Sequence, residues 1–91
     1  RLVTLQSICA IRAAQNYTEV CLQDGRQSLM RRPLKDWEES LSSTEFVRIS
    51  RDTLINLGHV VRHERTGNRG AHIWLRGITE PVQASFRLCP A

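Results

Sequence analysis

The sequence predicts a mainly β domain with one short amphipathic helix. Three observations carry this. Apolar and polar residues alternate over many short runs. Turns of hairpin length separate the runs, Asp24-Gly25 being the strongest. Helical spacing of apolar residues occurs over Leu34, Trp37 and Leu41, with Lys35, Glu38 and Glu39 off the stripe. Ninety-one residues make one small domain, burying roughly 60% of the unfolded chain's surface.

Taken in order, Arg1 to Leu5 reads as a strand that the start of the sequence cuts short. Ile8 to Ala13 is the next strand, with Ile8 and Ala10 facing one way and Cys9, Ile11 and Ala13 the other. Apolar residues on both faces place it centrally in its sheet. Ala14-Gln15-Asn16 breaks the pattern as a polar loop. Tyr17 to Gln23 is a third strand, with Thr18, Val20 and Leu22 on one face. Asp24-Gly25 suits a two-residue type I′ turn, after which Arg26 to Arg31 returns. With that tip, Val20 falls opposite Leu29 as an apolar cross-strand pair.

Pro33 fits the first turn of the helix, where its missing N–H costs nothing. Asp36, Glu38 and Glu39 suit the positive end of the helix dipole. Trp37 reads as a core lid, because its ring buries a large apolar area. Ser42-Ser43-Thr44 ends the helix. After the central stretch, His59 to Glu64, Ala71 to Arg76 and Pro81 to Ser85 are strands. Thr66–Gly70 and Gly77 separate them.

Phe46 to Val60 organises the rest. Val47 and Ile49 alternate with Arg48 and Ser50 as a strand. Asp52 can cap a helix, so Thr53-Leu54-Ile55-Asn56-Leu57 reads as a short helical turn. Gly58 ends that turn in a left-handed conformation. The corner so formed carries Arg48 and Arg51. By periodicity alone it is equally an ordinary strand-turn-strand unit with solvated arginines. Asn56 is expected to hydrogen-bond its own corner.

Composition narrows the function. Mean hydropathy is −0.34, and no apolar run is long enough to span a bilayer. Cys9, Cys21 and Cys89 show no C-x-x-C spacing, which argues against a disulfide framework or zinc site and for a reducing cytoplasm. The net charge of +4 is unevenly placed: residues 1–45 hold six basic and six acidic groups, and residues 46–91 hold seven Arg and three acids. Arg suits bidentate recognition of phosphate and guanine edges, although a solvated basic face is as common.

His59 and His63 share a strand face but lack a third ligand, so no metal site is expected. Cys21 lies mid-strand without a base. With no nucleophile–base pair, phosphate-cradling glycine loop or paired carboxylates, the sequence reads as non-enzymatic and cofactor-free.

The central stretch resembles the signature of the LytTR domain, the DNA-binding module of LytR/AgrA-type response regulators. The residues carrying the resemblance are Phe46-Val47-Arg48-Ile49, Ser50-Arg51-Asp52, Leu54-Ile55-Asn56-Leu57 and Val60. Ser50 stands where the family usually has His, and Asp52 where it usually has Ser. The resemblance covers nearly all of residues 1–91. It implies an elongated stack of small antiparallel sheets with DNA-contacting loops along one side. It also implies an excised C-terminal output domain of a bacterial, cytoplasmic two-component regulator, with its N-terminal strand truncated. The implied partner is double-stranded promoter DNA, at tandem repeat sites, with homodimerisation on DNA or through a missing N-terminal domain and no membrane contact.

Carried over by position, the DNA contacts fall in three loops. They are Asn16 or Tyr17; Ser50 and Arg51, flanked by Arg48; and Ser85 and Arg87. Asn pairs with adenine edges and Tyr reaches phosphates. The rival reading is a LytTR-like interaction module that regulates a protein partner without binding DNA, and Ser50 and Asp52 are the residues that favour it.

Overall fold

The computed structural model describes residues 4–85. Along the chain run β1 (Ile8–Ala14), β2 (Tyr17–Leu22), β3 (Gln27–Met30), α1 (Leu34–Ser40), β4 (Phe46–Ser50), β5 (Thr53–Asn56), β6 (Val60–Arg65), β7 (Gly70–Leu75) and β8 (Val82–Ser85). Short 3-10 turns occupy Leu5–Ser7 and Leu57–His59. The strands form a five-stranded sheet of order β3-β2-β1-β5-β4 and a three-stranded sheet of order β6-β7-β8. All pairings are antiparallel. The mainly β class with one helix is therefore the observed one, and the body is elongated, 42 × 25 × 24 Å.

β1 lies at the centre of the larger sheet, as its two apolar faces require. One face packs on α1: Ile8, Ile11, Val20, Leu22 and Leu54 meet Leu34, Trp37 and Leu41. The other meets the smaller sheet through Cys9, Ala10, Cys21, Ile49 and Ile55 against Ala71, Ile73, Leu75, Val82 and Ala84. Trp37 is buried, and its Nε1–H donates to Thr18 Oγ1 at 2.8 Å. The amphipathic stripe of α1 thus closes one core while β7 and β8 close the other.

Strict alternation fails in β1 because the register shifts between Ile8 and Ala10. The extra residue is Cys9, so Cys9 and Ala10 both face the smaller sheet, and Ile8 and Ile11 both face α1. A second shift lies between Arg48 and Ser50, with Ile49 as the extra residue, buried against the smaller sheet.

Three local expectations are corrected. Leu5 lies in a 3-10 turn, with Ser7 N–H donating to Thr4 O, rather than in a strand. The β2–β3 hairpin has a three-residue loop: Leu22 O accepts from Gly25 N, and Leu22 N donates to Arg26 O. Gly25 takes φ +90° as the left-handed residue of a bulged turn. Asp24 accepts from the Arg26 backbone N–H (3.0 Å) and Nε (2.8 Å), which lowers its pKa. The register moves by one residue, so Val20 faces Ser28 and Leu29 faces Glu19.

The third correction concerns Thr53–Leu57. Thr53–Asn56 is strand, inserted between β1 and β4 and buried throughout. Local capping chemistry is outweighed by two neighbouring strands that satisfy both backbone edges and bury Leu54 and Ile55 on opposite faces. The helical turn comes later, at Leu57–His59, and Asn56 rather than Asp52 caps it. Gly58 lies inside that turn rather than ending it with a positive φ.

Candidate nucleic-acid interface

Topology brings separate loops to one end of the larger sheet. β1, β3 and β4 run in the same direction, because β2 lies antiparallel to β1 and β3, and β5 to β1 and β4. All three therefore finish at the same end. There the β1–β2 turn holds Gln15-Asn16, the β4–β5 turn holds Arg51-Asp52, and Arg31 follows β3. The end of β1, just before its turn, is tied to the β4–β5 turn: Ala13 N–H donates to Asp52 O at 2.8 Å. Gln15 carries a positive φ of 56° that closes the first turn in two residues.

The β4–β5 corner is built from Arg48. Its guanidinium donates to Glu38 Oε1 at 2.6 Å, to Arg51 O at 2.6 Å and to Ser50 O at 3.3 Å. Ser50 Oγ in turn accepts from Asp52 N–H at 3.3 Å. Arg48 thus fixes the corner backbone, and Glu38 of α1 offsets its charge. Arg51 is exposed, and its guanidinium has no partner among the described residues.

Other cations at this end differ in the same way. Arg12 lies 3.7 Å from Glu19. Arg32 covers the Trp37 ring, its Cζ 4.5 Å from the centroid, and donates to Ser40 Oγ at 2.6 Å. Arg31 has no acidic partner among the described residues; it lies over the Tyr17 ring and donates to the Tyr17 hydroxyl at 3.2 Å. Sequence reasoning missed Arg31. The signal was present in the hairpin, since the return strand carries residues 31 and 32 back beside Tyr17.

The sequence-derived residues therefore separate. Asn16, Tyr17, Arg48, Ser50 and Arg51 meet at one end of the larger sheet. Ser85 is exposed at the end of β8, opposite Gly70 in the smaller sheet, and β8 packs against β4. Arg87 lies outside the described residues.

Asn56 sits at the other end of β5 and is buried. Its Oδ1 accepts from Gly58 N–H at 2.9 Å, and its Nδ2 donates to Ile8 O at 3.0 Å. His59 is buried nearby, with Nε2 on Gln6 O and Nδ1 3.4 Å from Arg76 Nη1. Among the described residues no three His, Cys, Asp or Glu side chains form a group that could hold a metal. Cys9 and Cys21 are buried free thiols. Burial, and then the neighbouring Cys21, push the Cys9 thiol up to about 11. Burial also raises that of Cys21. No helix among the described residues is long and apolar enough to cross a membrane.

Comparison with known proteins agrees with this architecture. The family model of the LytTr DNA-binding domain matches residues 1–90. The fold is similar to the LytTr DNA-binding domain of a Bacillus cereus protein named as a methyl-accepting/DNA response regulator. The TM-score is 0.82 at 18% identity, over 91% of this chain and 74% of that one. No curated protein matches the sequence. With a family match spanning residues 1–90 and the same two-sheet fold, the chain belongs to the LytTR family of DNA-binding domains.

Proposed function

We propose that this domain binds double-stranded DNA sequence-specifically, as the output domain of a cytoplasmic transcriptional response regulator. The observation that carries the reading is the convergence of two turns at one sheet end, where Arg51 is exposed and Arg48 holds the corner that presents it. The β1–β2 turn, with Asn16 and Tyr17, and the β4–β5 corner, with Ser50 and Arg51, enter the major groove. Ser85 and Arg87 supply the third contact, so that the loops enter successive major grooves. Arg48 serves the interface by positioning Arg51 rather than by meeting DNA with a free charge. Tandem sites and a homodimer on DNA complete the reading.

Titration onto duplexes from the regulator's own promoter, and onto scrambled duplexes, at several salt concentrations tests this. About four neutralised phosphates give a log–log salt slope of roughly −4. Arg51→Ala is expected to cost about 1–3 kcal/mol of specific binding if Arg51 reads a guanine edge. Absence of duplex binding at low salt would overturn the reading in favour of a protein-interaction module, the alternative that Ser50 and Asp52 raise.

A further inference from the structure

We propose that Arg31 and Tyr17 together form a clamp for a DNA phosphate beside the β1–β2 turn, a contact that rests on the DNA-binding reading above. Three features of the pair lead there. First, the charge is available. Arg12, Arg26 and Arg48 each lie within ion-pair distance of an acid, Glu19, Asp24 and Glu38 respectively. Residues 1–45 are neutral in sum, yet the pairing leaves Arg31 without an acid among the described residues. The neutral sum conceals a free guanidinium at the interface end.

Second, the donors are set for an anion. The Tyr17 hydroxyl oxygen accepts from Arg31 Nη2 at 3.2 Å. Its own O–H is therefore left to donate outward, next to the remaining guanidinium N–H groups. Phenol and guanidinium together offer several donors, and a phosphate oxygen pair supplies the matching acceptors. Third, the pair is ordered in advance. Arg31 Cζ lies 5.5 Å from the Tyr17 ring centroid. The turn after β3 is closed by Arg32 N–H on Met30 O at 2.9 Å. Stacking and a held backbone reduce the freedom lost on binding.

The position favours backbone over base. Arg31 follows an edge strand, two strands from the β4–β5 corner, so it flanks the inserted turns rather than tipping one. Such contacts set register and orientation without reading sequence.

The test compares Arg31→Ala, Arg31→Lys and Tyr17→Phe with Arg26→Ala. The last removes the same charge from the far end of the β2–β3 hairpin, where Asp24 already pairs it at 2.8 Å. Affinities for promoter and scrambled duplexes are measured over a salt series, with melting temperatures. Arg31→Ala is expected to weaken both duplexes equally, roughly tenfold, as for a lost hydrogen bond to a charged group. Its salt slope should be shallower by about 0.9. Arg31→Lys should retain the slope and lose part of the affinity. Tyr17→Phe should weaken binding with the slope unchanged, and Arg26→Ala should match the parent.

Parent-like binding and slope in Arg31→Ala, with Arg51→Ala still impaired, would overturn the clamp and leave the DNA reading standing. So would a loss confined to the promoter duplex, or an equal loss in Arg26→Ala. A parent that binds no duplex at low salt overturns both.

Discussion

Replacing Asn56 with Ala removes a side chain that joins two segments 48 residues apart in sequence. Its Nδ2 donor holds Ile8 O, and Ile8 is only 3% exposed. Stranding that carbonyl costs about 1–3 kcal/mol. The Gly58 N–H loses its Oδ1 acceptor, but Gly58 is exposed and water can replace the bond. This second loss is about 0.5–1 kcal/mol. The sum is about 1.5–4 kcal/mol, and at roughly 4–8 °C per kcal/mol for a domain of this size the melting point should fall by about 6–30 °C.

Asn56→Asp separates the two bonds. It keeps an acceptor for Gly58 but turns a carboxylate oxygen toward Ile8 O. At neutral pH it should therefore be less stable than Asn56→Ala. It should recover as pH falls, because the neighbouring carbonyl raises the folded carboxyl's pKa and the protonated acid can donate. Thermal unfolding followed by circular dichroism at several pH values reads both effects. DNA affinity of the folded Asn56→Ala variant should match the parent, since Asn56 lies at the end of β5 away from the corner. A melting point within about 2 °C of the parent, where several degrees per kcal/mol are expected, would refute the reasoning.

Gly77→Ala should destabilise the fold by more than about 3 kcal/mol, because Gly77 has φ +85° and an added Cβ would collide with the Gln23 backbone; a variant with parent-like unfolding in urea would contradict this. Arg48→Ala should weaken DNA binding less than Arg51→Ala and change stability by no more than about 1 kcal/mol, as expected of an exposed ion pair; a further loss of affinity when Arg48→Ala is added to Arg51→Ala would show that Arg48 itself meets DNA. The raised pKa of Cys9 makes a pH prediction: its contribution to stability is complete below the unfolded thiol's range and lost as pH rises to about 11. Cys9→Ala or Cys9→Ser should flatten that alkaline decline in a pH series of unfolding measurements, and an unchanged decline would count against the assignment.

Much of the fold was legible locally. Two apolar faces marked β1 as central, and the stripe of Leu34, Trp37 and Leu41 marked α1 and its buried side. These are properties of a segment and its own periodicity. The signature from Phe46 to Val60 carried the family, and turn chemistry accounts for the Asn56 bond to Gly58 but not for its bond to Ile8 O, 48 residues away.

What the sequence could not determine depended on partners distant in the chain. The β2–β3 register turned on one residue of loop length, a choice that Asp24-Gly25 permits in two ways. Thr53–Asn56 became a strand because β1 and β4 flank it, and no pattern within four residues reveals two waiting neighbours. Charge behaved likewise. Arg48 and Arg51 are three residues apart, yet Glu38 on α1 offsets one and leaves the other without an acidic partner among the described residues. Arg31 lies in a stretch of zero net charge, but the ion pairs formed by folding cancel other arginines and leave it beside Tyr17. Periodicity is written in adjacent residues, whereas register and charge cancellation are settled only when distant segments meet.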